Sequence, residues 1–241
     1  MRVEWNGLNT IFMNKKIAIL QSNYIPWKGY FDLMNSVDEF ILYDDMQYTK
    51  NDWRNRNIIK TVKGKQWLTI PVRQISLNQK IYETKISDTL WNKKHWNSIQ
   101  INYAKAPYFK EFKSIFEELY LNNTNTFLSE INYSFIFAIN QILEIKTKIS
   151  FSSDYKLIEG KTERLVDLCK QSNATEYISG PAAKEYINAK LFEKENIKLS
   201  WMNYQGYKEY SQLFNQFEHG VSIIDMIFNL GHQTTQYMKS F

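Results

Sequence analysis

The sequence predicts an α/β fold built on an open, mostly parallel sheet with a helical insertion. Three observations lead there. Short continuous apolar runs, "IAIL" at 17–20 and "FILY" at 40–43, have the make-up of strands buried on both faces. Between them Phe31, Met34, Val37 and Phe40 recur at a spacing of three, so strand, helix and strand form a unit of about 30 residues that calls for parallel pairing through a crossover. Strand and helix patterns return after residue 148, beyond a long stretch of helical periodicity. The sum is a Rossmann-like arrangement with an insertion.

Each element has its own signal. "KKIAILQS" is the first strand, and Pro26 and Gly29 punctuate the loop behind it. "YFDLMNSVDEF" supplies the short helix, and "FILYDD" is a second strand ending in two acids. "RNIIKTVKGKQWLTIPV" reads as two β segments around the turn "KGK", with Pro71 bordering the second. "KIYETKISD" is a candidate edge strand. Pro107 separates a helix over about 91–103 from one over about 108–121, and "TFLSEINYSFIFAINQILEI" is a third, well-buried helix. "KISFSSDY" is a strand and loop; "TERLVDLCKQSN" is a helix capped by Thr162 or a neighbour. "EYISG" is a strand running into "PAAKEYINAKLFEKEN", a helix with Pro181 in its first turn. "IKLSWMNY" is a further strand, and "VSIIDMIFNLG" a short helix stopped by Gly231. No repeat, low-complexity tract or flexible linker interrupts the chain. The expectation is one domain over 13–241, with its helical segment at about 91–145. Residues 1–12 read as an extension, because Met13 opens "MNKKIAIL" directly into the first strand.

Composition narrows the class. At 241 residues the chain buries a core without covalent staples, and its single cysteine, Cys169, excludes an internal disulfide and a multi-cysteine zinc site. Cys169 in "RLVDLC" reads as a small buried hydrophobe. No run approaches the roughly 18 apolar residues of a membrane span, and "MRVEWNGLNTIF" has no continuous apolar core of a signal peptide, so a cytoplasmic protein is expected. The net charge of +5 comes from 30 basic residues interleaved with 25 acidic ones, which argues against DNA but leaves room for a phosphate-bearing ligand. Aromatic residues make up 16 % of the chain, and Tyr and Trp in polar contexts suit sugar and base stacking as well as core packing.

Ligands of open α/β sheets bind outside the carboxyl ends of the strands, and the polar clusters of this chain gather at such ends. The first strand delivers Gln21, Asn23 and Tyr24, with Trp27 and Tyr30 just behind. The second delivers Asp44, Asp45 and Gln47, and "EYISG" delivers Ser179 and Gly180 at a helix start, a ready anion site. "WRNRN" sets Arg54 and Arg56 on one face of an extended segment beside Trp53, with Asn55 and Asn57 opposite. Two guanidinium forks there suit a diphosphate; the structural alternative is a hairpin start with one arginine paired to Asp52. Asp44 and Asp45 suit a general base with an orienting acid, or else a loop cap and an ion pair. Arg164 at the start of its helix is free to reach a ligand or an acid. His219, ahead of Gly220, Ser222 and Asp225, is the acid/base candidate among the histidines, and His95 in "KKHW" is a second candidate contact. Three scattered histidines and the absence of a D-x-D triplet predict no metal site. No G-x-S-x-G elbow, P-loop or G-x-G-x-x-G occurs, which weakens hydrolase, kinase and dehydrogenase readings together.

"AILQSNYIPWKGYFDLMNSVDEFILYDDMQYTKNDWRNRNIIKT", "QWLTIPV", "HWNSIQINYAKAPYF", "KTERLVDLC", "YISGPAAKEYI" and "FEHGVSIIDMIFNLG", in that order, resemble the WbqC-like protein family over about 15–231. The family's usual Gln-Pro after the first strand is Gln21-Ser22 here. The resemblance implies a role in bacterial surface-polysaccharide (O-antigen) biosynthesis, as an aminoacyl (glycine) transferase acting on the amine of a nucleotide-linked amino sugar. The residues fit that role: Arg54 and Arg56 would hold the diphosphate, Trp27, Tyr30 and Trp53 the base or sugar, and Asp45 or His219 would act as base. The acyl donor would be aminoacyl-tRNA, or free amino acid with ATP, for which no phosphate-cradling loop is found; the sequence identifies no particular cofactor. A non-catalytic sugar-nucleotide-binding protein and a metal-independent glycosyltransferase are the alternatives. "NYIPWKGYFDLM" is also similar, over that stretch alone, to nucleotidylyltransferase-like proteins, but Trp27 and Tyr30 stand where those carry a histidine pair.

Overall fold

The computed structural model describes residues 14–214 and 216–241; the extension expected over 1–12 lies outside them. Strand β1 (Lys16–Leu20) leads through a loop to helix α1 (Lys28–Asn35), and strand β2 (Glu39–Leu42) returns beside β1 in parallel register, Ile17 opposite Glu39 and Leu20 opposite Leu42. Alternation explains why both strands are continuously apolar: Ala18, Phe40 and Leu42 enter one core, while Ile17, Ile19 and Ile41 enter the core on the opposite face.

The chain then leaves the sheet. Strands β3 (Arg56–Thr61) and β4 (Gly64–Thr69) form an antiparallel hairpin, and Gly64 closes its turn at φ 99°, a conformation glycine adopts without penalty. Strands β5 (Val72–Arg73) and β6 (Lys85–Ile86) form a separate short pair. "KIYETKISD" therefore adds no edge to the main sheet; Ile81–Glu83 is a 3-10 turn, and Ile86 N–H is used by Thr126 O instead. Helices α2 (Trp91–Tyr103), α3 (Phe109–Leu121) and α4 (Leu128–Ile142) follow, packed through Trp96, Phe109, Phe116, Tyr120 and Phe135. Everything between β2 and the next sheet strand, residues 43–147, belongs to this excursion, so it starts well before the helices.

Strand β7 (Lys148–Phe151) re-enters beside β2. Helix α5 (Thr162–Gln171), strand β8 (Glu176–Ser179), helix α6 (Ala189–Lys194) and strand β9 (Lys198–Trp201) complete the sheet, and helix α7 (Ile223–Leu230) closes the chain before a C-terminal 3-10 segment. Two local expectations are corrected. Thr162 is the first residue of α5 rather than its cap, and its hydroxyl accepts Asn188 N–H at 3.2 Å. "PAAKEYINAKLFEKEN" is no continuous helix: Pro181–Glu185 is a 3-10 turn, and Asn188 starts α6 by accepting Lys190 N–H. Gly231 does stop α7, at φ 57°, where a Cβ would meet the Tyr108 ring at 2.3 Å.

The five-stranded sheet is parallel throughout, in the order β7-β2-β1-β8-β9. The chain starts in the middle, works outward through β2 and β7, then crosses back to β8 and β9. The order thus reverses between β1 and β8, the place where doubly wound sheets open a crevice at their carboxyl edge. Cys169 lies in the core under the α5 face, where burial pushes its thiol up to about 12. Among the described residues no helix is long and apolar enough to cross a membrane, and no three His, Cys, Asp or Glu side chains converge as metal ligands.

Candidate functional site at the carboxyl edge of the sheet

The loops after β1 and β2 are tied together at the carboxyl edge of the sheet. Ser22 N–H donates to Asp44 Oδ1 at 2.8 Å, and Asn132 on α4 donates to Ser22 Oγ at 3.1 Å and to Arg54 O at 2.9 Å. Tyr24 N–H donates to Trp53 O, and the Asn57 amide donates to Tyr24 O and Ile25 O, both at 3.0 Å. That amide holds Ile25 at φ 37°, a left-handed conformation that a β-branched residue adopts only when its surroundings impose it.

These ties set the backbone so that Arg54 turns over the carboxyl end of β1. Its guanidinium donates to Asn23 Oδ1 at 3.3 Å and stands 3.5 Å from Asp52 Oδ2. Burial raises the Tyr30 phenol, with Asp44 adding to the rise and Arg54 opposing it. Burial likewise raises Tyr186, beyond the end of β8, against the Arg54 charge. One guanidinium therefore bears on groups that follow β1, β2 and β8. Tyr30 is fixed by donating to Gln21 O at 3.2 Å.

Beyond β2 and β7 lies a cleft of about 660 Å³ lined by Asp44, Asp45, Tyr82, Glu130, Tyr133 and Ser152 among others. Its size matches a small-molecule site. Asp45 Oδ2 accepts the Ser152 hydroxyl, and Lys80 Nζ stands 3.8 Å from Asp45 Oδ1. Burial raises Asp44 above the usual carboxylate range, partly offset by Ser22 and Arg54. Carboxylates and aromatic edges together suit a hydroxylated or amine-bearing ring.

On the other side of β1, Trp27 packs edge-on to Tyr204 and Tyr207 at 5.2 and 5.9 Å. Gly29 is required beneath it, because a Cβ there would meet the indole at 2.4 Å. Behind Trp27, Lys28 Nζ lies 3.0 Å from His219 Nδ1.

The model of the WbqC-like protein family matches residues 21–237. The chain belongs to the WbqC-like protein family. A protein of Mycobacterium tuberculosis (strain ATCC 25618 / H37Rv), described as uncharacterized protein Rv1507c, is 50 % identical over 226 residues, covering 93 % of this chain and 98 % of that protein. No solved structure matches the chain.

In this WbqC-like chain the fold brings Gln21, Asn23, Tyr30, Asp44 and Arg54 together at the carboxyl ends of β1 and β2, with Asp45 in the adjoining cleft. Other expected positions lie apart. Tyr24 and His95 are interior: Tyr24 Oη is 2.9 Å from His95 Nδ1 and 2.7 Å from Tyr120 Oη, and burial pulls His95 down to about 4. Asn55 is buried and donates to Ile70 O at 2.9 Å. Arg56 does not share the Arg54 partners; it stacks over Trp67 at 4.1 Å, beside the half-exposed Trp53. Gln47 is exposed and donates to Leu77 O. Arg164 reaches Ile158 O and stands 3.7 Å from Glu159. Ser179 accepts the Tyr177 hydroxyl, and Gly180 faces Tyr204 Oη, with only a short 3-10 turn behind it in place of an α-helix start. His219 is paired with Lys28 and does not line the cleft. Sequence reasoning passed over Lys28, Ser152, Glu130, Tyr204 and Trp67; of these, only Lys28 carried a local signal, a lone lysine between Trp27 and Gly29.

Proposed function

We propose that this chain is a transferase that joins an aminoacyl group, glycyl in the first instance, to the amine of a nucleotide-linked amino sugar in bacterial surface-polysaccharide biosynthesis. The observation that carries the reading is Arg54, held beside Asn23 at the carboxyl end of β1 with its charge bearing on Asp44, which lines the acid-bearing cleft. A guanidinium suits a diphosphate, and an acid-bearing cleft beside aromatic edges suits a sugar, which supports the reading. In the reaction the sugar nitrogen attacks the acyl carbonyl carbon, the new C–N bond replaces the C–O bond to the donor, and the amine proton passes to a base as the donor alcohol leaves protonated. Asp45 lines the cleft and is the base in this reading; Ser152 orients it.

A second reading, a non-catalytic sugar-nucleotide-binding protein of the same pathway, draws on the engagement of both Asp45 oxygens, by Ser152 and by Lys80. One experiment separates them. Purified protein is incubated with a nucleotide amino sugar and labelled glycine, supplied as glycyl-tRNA or with ATP, and the sugar is assayed for label. Transfer lost in Asp45→Asn supports the transferase. Binding of the sugar nucleotide by calorimetry with no transfer from either donor leaves the binding protein, and absence of binding removes both.

A further inference from the structure

A second cavity, of about 390 Å³, adjoins the cleft over α3 and α4, lined by Glu118, Asn122, Asn123 and the apolar Ile115 and Leu119 among others. Asn125 and Ser134 line both cavities, so one pair of side chains separates them. The Asn125 amide donates to Ser134 Oγ at 3.1 Å, and the Ser134 hydroxyl donates to Glu130 O at 2.9 Å, which fixes the partition to the first turn of α4. Two seats with a shared wall are what a transfer between two bound molecules needs, because the reacting atoms must come within about 3–3.5 Å of one another.

Charge decides what the second seat accepts. Asp44, Asp45, Glu118 and Glu130 line the two cavities, and among the described residues no lysine, arginine or histidine does so. A triphosphate or an acyl phosphate would face only carboxylates there. Asp44 is engaged by Ser22 N–H, and Asp45 by Ser152 and Lys80. Glu118 is free. It is exposed, and its helix neighbours three and four residues away, Ser114, Ile115, Leu121 and Asn122, include no basic side chain. Among the described residues no donor or cation reaches its carboxylate. The cavity therefore combines an unpaired anion, asparagine amides and apolar side chains, a set that matches an ammonium carried on a hydroxylated, heterocyclic body.

We infer that the second cavity seats the acyl donor as an aminoacyl ester of a nucleoside, the chemistry of the 3′ end of an aminoacyl-tRNA, with Glu118 holding its α-ammonium. The inference rests on the transferase reading above and narrows it, setting aside ATP with free amino acid. Only the terminal nucleoside, uncharged apart from the ammonium, enters the cavity. Asparagine amides meet its ribose hydroxyls and base edge, and Ile115 and Leu119 the face of the base. The ester carbonyl then meets the sugar nitrogen across Asn125 and Ser134. The new C–N bond replaces the C–O bond to the ribose, and the amine proton passes by way of the base to the ribose oxygen, which leaves as a hydroxyl.

The test uses the full chain with 3′-glycylamino-3′-deoxyadenosine, an amide that imitates the ester, and with its N-acetylglycyl counterpart, which lacks the charge. Calorimetry is run at pH 6.5, where an α-amino group of roughly 7.7–8 is protonated. The glycyl compound is expected to bind on the order of 10-fold or more tighter than the acetylated one, and Glu118→Gln to remove that difference. Absence of binding by the glycyl compound, equal affinities for the two, or an undiminished difference in Glu118→Gln overturns the inference. Displacement of the glycyl compound by the sugar nucleotide also overturns it. Transfer supported by ATP and glycine alone, in the preceding experiment, would remove this donor site and keep the transferase, so the two readings fail separately.

Discussion

Glu39, at the amino end of β2, allows a stability term to be isolated at the edge of the sheet opposite the site. Its side chain is 1 % exposed and accepts Lys15 at 2.6 Å, Lys148 at 2.9 Å and the Tyr155 hydroxyl at 2.7 Å. Burial by itself would raise this carboxyl; the donors, Lys15 foremost, outweigh it and hold it at about 2 instead of 4.5. A depression of that size is worth at most about 3 kcal/mol. Because Lys15 and Lys148 are 30 % and 67 % exposed, solvent screens part of it, and about 2 kcal/mol is the expected loss for Glu39→Gln at pH 7. The folded-state pKa is the lower one, so the contribution is complete above pH 4.5 and disappears as pH falls towards 2. Urea unfolding of both proteins at pH 7, 5, 4 and 3 reads the difference. It should shrink steadily below pH 4.5, with sugar-nucleotide affinity at pH 7 unchanged. A difference that is absent at pH 7, or constant down to pH 3, would refute the reasoning.

Arg54→Ala should weaken binding of a nucleoside diphosphate by about 10- to 100-fold in calorimetry, the range for a charge-assisted hydrogen bond, while Arg56→Ala should weaken it less because Arg56 stacks on Trp67. Gly29→Ala should lower stability by about 1–3 kcal/mol and shift tryptophan emission, since the new methyl displaces the Trp27 indole; an unchanged melting temperature would contradict the contact. The His95 imidazole should show no NMR titration above about pH 5, because burial holds it neutral down to about 4. With its folded pKa below the unfolded 6.5, its stabilising effect is present above pH 6.5 and is lost on acidification towards 4; a histidine titrating normally near 6.5 at this position would refute it.

Much of the fold was legible because its signals are local. Ile17 to Leu20 and Phe40 to Leu42 are apolar at every position since both faces of β1 and β2 are covered, and no partner need be known to read that. The helices at Trp91–Tyr103 and Phe109–Leu121 follow from periodicity and Pro107. "PAAKEYINAKLFEKEN" misled for the same reason: its composition suits a helix throughout, yet Ile187 N–H bonds to Ala183 O and Asn188 restarts the chain at α6.

The site was legible only as a set of polar residues at strand ends. That Gln21, Asn23 and Asp44 fall on one edge follows from the alternation of strand and helix, because parallel strands put their carboxyl ends together. Sequence by itself determined this much, along with the apolar faces and most element boundaries, because each depends on neighbours a few residues away. Tertiary structure alone decided the rest. Arg54 faces Asn23 and Arg56 faces Trp67 although they are two residues apart, because Asn57 and Asn132 anchor a loop without period. Tyr24 and His95, polar in composition, satisfy one another inside the core. Lys28 meets His219 across 191 residues, among rings of Tyr207, Tyr210 and Phe217 that only the folded chain assembles around it.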